Sequence, residues 1–293
     1  MPDRFRCSVA AADEPLAGTA PTDTAYLLVE YSGPWGRKAL EQSRLPEPIR
    51  TELAARAESS GVRVQLIRRH RRTAPTAGVR VFVVYADPQS PWAETAILDG
   101  PEALLDLDLE ALAAGRSPGL EPHLDPMLLV CTNGRRDACC AELGRPLVSA
   151  LDDAWPDETW ETTHLGGHRF AGAMLALPHG LSYGRVSAEI GLEIAKRTQR
   201  GELDPWHLRG RTAYAGAVQA AEVALLERLG ETRVDALLLL GAEQEGDLTT
   251  VTFRHGSDEL VVSVTGVLGE PIQQSCADLK LKPAMSFVAT PQP

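Results

Sequence analysis

The sequence predicts an α/β protein made of two tandem units of one kind, followed by a small α+β extension. Three observations predict it. The element order strand, helix, strand, strand, strand, helix can be read twice, first across residues 26–114 and again across 127–200. The two openings align letter by letter, LLVEYSG at 27–33 lying over LLVCTNG at 128–134, as an internal repeat would. Beyond residue 213 the pattern changes to one amphipathic helix and a run of alternating strands. The expected boundaries are 1–122 for the first unit, 123–212 for the second and 213–293 for the C-terminal region.

Residues 1–25 are rich in Ala, Pro, Thr and Asp, lack periodicity, and read as an irregular lead-in. The run YLLVEY at 26–31 is a buried strand stopped by Ser32, Gly33 and Pro34. Residues 46–60 place Ile49, Leu53, Ala54 and Ala57 at helical spacing, and Gly61 ends that helix. Residues 62–67 and 79–85 alternate as strands, with a weaker strand at 92–98. Residues 101–114 read as a helix with Pro101 in its first turn and Gly115 after its end.

In the second unit, 127–130 is an apolar strand running into Cys131, and 140–154 is a helix with Leu143, Leu147 and Leu151 on one face. A short strand at 161–165 precedes a hairpin of 173–177 with 181–186 across Pro178, His179 and Gly180. Residues 187–200 form a helix capped by Ser187, with Ile190 and Ile194 inward. In the C-terminal region a helix at 214–229 turns Val218, Ala221, Leu225 and Leu229 inward. Residues 234–240, 248–254 and 259–266 read as a meander. It is either a separate small domain or an extension of the second sheet.

Composition narrows the function classes. Of 293 residues 44% are hydrophobic and 24% charged, so the chain has the material for a core without disulfide staples. A net charge of -11 argues against nonspecific nucleic-acid binding, which needs a basic surface. No run approaches the ~20 apolar residues of a membrane span. The first fifteen residues lack the apolar core of a secretory leader, so the expected location is the cytoplasm, with no membrane partner. In a reducing compartment the five cysteines are free thiols or metal ligands rather than disulfides.

The chemistry concentrates between residues 131 and 168. Cys131 closes a strand, and Cys140 follows after eight residues at the start of a helix. His164 and His168 are three residues apart, around Gly166 and Gly167. Two thiolates and two imidazoles suit zinc or an iron–sulfur cluster. Structural zinc sites usually space their cysteines two to four residues apart, so the wide loop favours the larger cluster. Cys139 competes with Cys140 as a ligand, and spacing favours Cys140. Cys7 and Cys276 read as structural or incidental thiols.

The stretch CTNGRRDACCA from Cys131, with HLGGHRFA from His164, resembles the sucrase/ferredoxin-like family. LPHGLSYGR from Leu177 resembles the ending of thioredoxin-like [2Fe–2S] ferredoxins, and PLAGTA from Pro15 and EYSGPWG from Glu30 extend the likeness to the N-terminal half. The resemblance implies two thioredoxin-like units, the first without ligands. It implies a [2Fe–2S] cluster held by Cys131 and Cys140 on one iron and by His164 and His168 on the other. The implied role is electron transfer between an unknown reductase and an unknown acceptor; an oligomer is compatible with it. Nothing in the sequence singles out the acid/base pair of a glycosidase. Replacing thiolates by imidazoles raises the potential, and an exposed imidazole nitrogen would couple reduction to proton uptake.

Two other readings compete. One is a zinc-stabilised binding module without redox chemistry. The other is a thiol oxidoreductase using Cys139 and Cys140, which lacks the C-x-x-C pair of that chemistry. The basic run Arg68, Arg69, His70, Arg71 and Arg72 reads as a solvated loop or a docking patch for an acidic partner. Arg135, Arg136 and Arg169 could stabilise the thiolates or steer a partner. Trp35 and Trp92 read as packing. His70, His123, His179, His207 and His255 have no ligand-like partners in sequence.

Overall fold

The computed structural model describes residues 5–71 and 77–292; Arg72 of the basic run lies outside them. A single helical turn, α1 (Cys7–Ala10), precedes strand β1 (Ala25–Glu30). Helix α2 (Glu47–Ser60) buries Ile49, Leu53 and Ala57, and ends where Gly61 turns left-handed at φ 77°. Strands β2 (Arg63–Arg68), β3 (Val79–Tyr85) and β4 (Trp92–Leu98) follow. The helix expected over 101–114 is split. A 3₁₀ segment runs Pro101–Asp106, and α3 (Leu109–Ala113) restarts because the Asp108 carboxylate accepts the Ala111 N–H. A two-residue strand, β5 (Glu121–Pro122), completes the first half.

The second half repeats this order with β6 (Met127–Cys131), α4 (Ala138–Ala154), β7 (Thr159–Thr162), β8 (Met174–Leu177), β9 (Leu181–Tyr183), α5 (Ala188–Gln199) and β10 (Leu208–Arg211). All ten strands form one mixed sheet, in the order β10-β9-β8-β6-β7-β2-β1-β3-β4-β5. Within each half the first two strands are parallel and the third and fourth antiparallel. The halves join at β2 and β7, which pair antiparallel through Ile67 with Thr162 and Arg68 with Glu161.

Alternation of side chains across the strands sorts the core into layers. Leu27, Val29, Val81 and Val83 pack under α2 and α3. Leu128 and Val130 pack under α4 and α5 with Leu147, Leu151 and Ile194. The helix-free faces of both halves share a third core, where Tyr26, Leu28 and Phe82 meet Met127, Leu129, Leu175 and Leu177. The sheet therefore curls, and Gly180 in the β8–β9 turn packs against Ala86 beyond β3. Leu143 and Leu229, expected inward, face solvent; the inner stripe of α4 runs instead through Cys140, Gly144, Leu147 and Leu151.

Helix α6 (Gly216–Leu229) lies between β10 and a second sheet. That sheet comprises β11 (Leu238–Glu245), β12 (Leu248–His255), β13 (Asp258–Leu268) and, after a short hairpin β14 (Ile272–Gln273) and β15 (Leu281–Lys282), β16 (Met285–Pro291). The strand expected at 234–240 starts later, because Thr232 and Val234 are tied by backbone hydrogen bonds to Leu203 and Gly201. The meander is thus a sheet of its own, yet Val251, Phe253, Val262 and Val264 belong to the same core as Leu147 and Ile194.

Among the described residues of the basic run, Arg68, Arg69, His70 and Arg71 all have partners within the chain. Arg68 and His70 both reach Glu161, at 2.6 and 2.8 Å. Arg69 lies 3.6 Å over the Trp160 ring and donates to the carbonyls of Pro156, Asp157 and Thr159. Arg71 pairs with Asp152 and Asp153. The run stitches the two halves together along the β2–β7 seam.

Burial pushes the Glu161 carboxyl up, but hydrogen bonds from His70, Arg68 and Thr132 outweigh it and hold the group below its ordinary value. A depressed carboxyl contributes stability that is present above its unfolded-state pKa, about 4.3, and is lost as pH falls through the folded value. Glu161→Gln is therefore expected to lower the melting temperature at neutral pH. The gap to wild type should close in acid, read by thermal unfolding across a pH series. A constant gap would show that the carboxylate charge is not what the seam uses.

Candidate metal centre

Strand β6 ends at Cys131, whose sulfur points into the helix-free core beside Cys140. Cys140 sits in the first turn of α4, started by Asp137, whose carboxylate accepts the Cys139 N–H at 3.1 Å. Strand and helix approach closely because position 144 is glycine: a Cβ there would land on the Cys131 carbonyl oxygen. Both cysteines are buried, and His164 is half-buried.

His164 follows β7 and brings Nδ1 to 4.0 Å from Cys131 Sγ and 3.8 Å from Cys140 Sγ. The donor atoms of these three residues lie within 4.8 Å of one another. His168 joins through His164, its Nδ1 standing 3.4 Å from His164 Nε2. Cys131, Cys140 and His164 thus form one group of donor atoms, and His168 stands beside it against His164.

The loop between the histidines depends on Gly166 and Gly167, at φ 83° and 66°. Any side chain at Gly167 would run into Arg209. That arginine is buried and has no carboxylate partner among the described residues; it donates to the carbonyls of Gly166 and Thr19 and to the Thr19 hydroxyl. Burial brings its pKa down to about 9. It fixes the His-bearing loop from below and places positive charge near Cys131.

The electrostatics set the two thiols apart. A hydrogen bond from the Cys140 thiol, helped by His164 against the cost of burial, holds Cys131 well below the ordinary thiol range. The same bond and burial push Cys140 up. Burial, together with His164, lowers His168 to about 4, so its ring is neutral and has a lone pair to offer.

Two surroundings of the centre were not visible in the sequence. The C-terminal segment folds back over it, and Gln274, Ser275, Asp278, Lys280 and Lys282 line a small cavity with His168. On the other side a cleft of about 450 Å³ opens onto His164, lined by Arg37, Lys38, Arg63 and Arg136 with Glu41. Cys139 does not face the centre: it points away, toward Cys7 and Cys276.

The sucrase/ferredoxin-like family model matches residues 16–210. The chain belongs to this family. The match takes in nine strands of the large sheet, all of β10 but its last residue and the whole Cys/His centre, and leaves out α6 and the second sheet. No curated protein and no solved structure matches the chain. Membership of the sucrase/ferredoxin-like family, and Cys and His groups that could hold a metal, rest on these findings. No helix among the described residues is long and apolar enough to cross a membrane.

Proposed function

We propose that the chain is an electron-transfer protein whose Cys131, Cys140, His164 and His168 hold one [2Fe–2S] cluster. The observation that carries this reading is the convergence of two buried sulfurs and two half-buried imidazoles in a sucrase/ferredoxin-like chain. The donor chemistry fits: thiolates and neutral imidazoles are the ligands of mixed Cys/His two-iron centres. Such a cluster supplies one-electron chemistry when bound. Cys131, held below the ordinary thiol range, and the neutral His168 are the members of the set readiest to offer lone pairs. Arg209, buried with no carboxylate partner among the described residues, favours the more negative of two redox states and so raises the potential. The cationic rim around His164 steers an acidic redox partner toward the imidazole side.

The finer organisation belongs to the same reading. In each half the strand order is second, first, third, fourth, with the third antiparallel to the first. This supports two thioredoxin-like units, 1–122 without ligands and 123–212 with the cluster. The reading includes proton coupling at the half-buried imidazoles, which a potential independent of pH would remove.

A second reading has its own observation. The donor atoms of Cys131, Cys140 and His164 lie close enough together for one ion, as in a zinc-stabilised binding module. Anaerobic purification with iron and sulfide analysis separates the two. The cluster reading expects about two irons per chain, visible charge-transfer bands, and a rhombic EPR signal of low average g after dithionite. A colourless protein that stays so after iron–sulfur reconstitution would overturn it.

A further inference from the structure

Three cysteines outside the centre meet in space. Cys7 comes from α1, Cys139 from the first turn of α4, and Cys276 from the loop between β14 and β15. In sequence they are 132 and 137 residues apart. Their sulfurs form a triangle with sides of 3.3, 3.6 and 3.7 Å. These separations are far beyond the ~2.05 Å of a disulfide. The buried Asp137 carboxylate completes the group, its Oδ1 standing 3.5 Å from Cys7 Sγ.

We infer that Cys7, Cys139, Cys276 and Asp137 form a second metal site, a closed tetrahedral site for zinc. The dimensions are close to those zinc requires, the sulfur triangle being slightly tighter. Zn–S bonds of about 2.3 Å at tetrahedral angles separate sulfurs by about 3.8 Å, and a Zn–O bond of about 2.1 Å puts oxygen about 3.6 Å from each sulfur. Three thiolates and one carboxylate are a soft set that selects zinc over magnesium or calcium. The outer contacts are also in place. Ser275 Oγ and the Cys276 N–H donate to Asp137 Oδ2 at 2.9 and 2.8 Å, fixing the carboxylate. The Ser8 hydroxyl donates to Cys139 Sγ at 3.2 Å, and the Cys7 N–H donates to Cys276 Sγ at 3.4 Å. The N-terminus of the 17-residue helix α4 adds its dipole beside the thiolate of Cys139.

The site would staple the N-terminal turn and the C-terminal segment to the helix that carries Cys140. Adjacent residues of one helical turn then serve two metals: Cys140 faces inward to the first centre and Cys139 outward to the second. Asp137 spans them, with Oδ2 3.9 Å from His168 Nε2.

The test uses the full chain, with zinc and iron counted separately so that it does not depend on the cluster reading. The wild type is expected to carry about one tightly bound zinc. Its zinc X-ray absorption spectrum should fit three sulfurs near 2.3 Å and one oxygen near 2.1 Å. Cys276→Ser should lose the zinc and keep its iron; His164→Ala should keep the zinc. Should Cys276→Ser fail to fold, the wild-type spectrum decides alone. A shell of two sulfurs with nitrogens would place the zinc at the first centre and overturn the proposal. So would a disulfide among these thiols, or failure of the reduced chain to take up zinc or cobalt on anaerobic titration.

Discussion

Gly144→Ala is expected to strip the Cys/His centre of the cluster proposed for it while leaving most of the fold standing. A Cβ at this position lands on the Cys131 carbonyl oxygen and comes within 3.1 Å of its carbon, so neither flexible side chains nor solvent can absorb it. Helix α4 must then move away from β6. Overpacking of this kind costs about 1–3 kcal/mol, which a domain of this size can survive. The ligands cannot survive it, because Cys131 is fixed to the strand and Cys140 to the helix. Metal content should drop several-fold, with far-ultraviolet dichroism nearly unchanged. Retention of full metal content would show that the loop between the cysteines, rather than the strand–helix contact, sets their separation.

Glu222→Ala is expected to be the most destabilising single substitution away from the centre. Glu222 on α6 accepts from Arg211 Nε of β10 at 2.6 Å, and both side chains are almost wholly excluded from water. Arg211 also donates to the Val234 carbonyl, so it cannot swing out without breaking the join between β10, α6 and the approach to the second sheet. Removing the carboxylate leaves a buried guanidinium without a counter-charge, at a cost of about 3–5 kcal/mol. Chemical denaturation of both proteins measures it. Glu222→Gln, which keeps a hydrogen-bond acceptor but not the charge, should lie between the two. A loss under about 1 kcal/mol for Glu222→Ala would mean that water reaches the pair.

What could be read from the sequence was what is local. Apolar runs punctuated by Gly61, Gly115 and Pro178 mark strands and helices because each signal acts within a few residues. The proposed ligands stood out for the same reason: Cys131 and Cys140 flank one loop, and His164 and His168 another. The split at Asp108 was missed because a helix can be re-capped inside a periodic stretch. The role of Arg68, Arg69, His70 and Arg71 was missed because their partners, Glu161, Trp160 and Asp152, lie some 80–90 residues on. The Cys7, Cys139 and Cys276 group leaves no periodic trace at all. Its only hint was that three of five cysteines had no assigned work, one of them beside a proposed ligand.

The join of two like halves at the middle of one sheet also decides how the molecule meets its own copies. The sheet ends in β5 and β10. β5 is two residues long and includes Pro122, which has no N–H to offer an incoming strand. β10 is overlaid by the lead-in, which places the Gly18 N–H on the Arg209 carbonyl and the Asp23 N–H on that of Thr212. One of the two outer strands of the second sheet, β11, slips register between Leu239 and Gly241 and carries Glu243 and Glu245. These three borders resist strand addition, which leaves β16, the other edge of the second sheet, as the place where edge-to-edge pairing between copies would start.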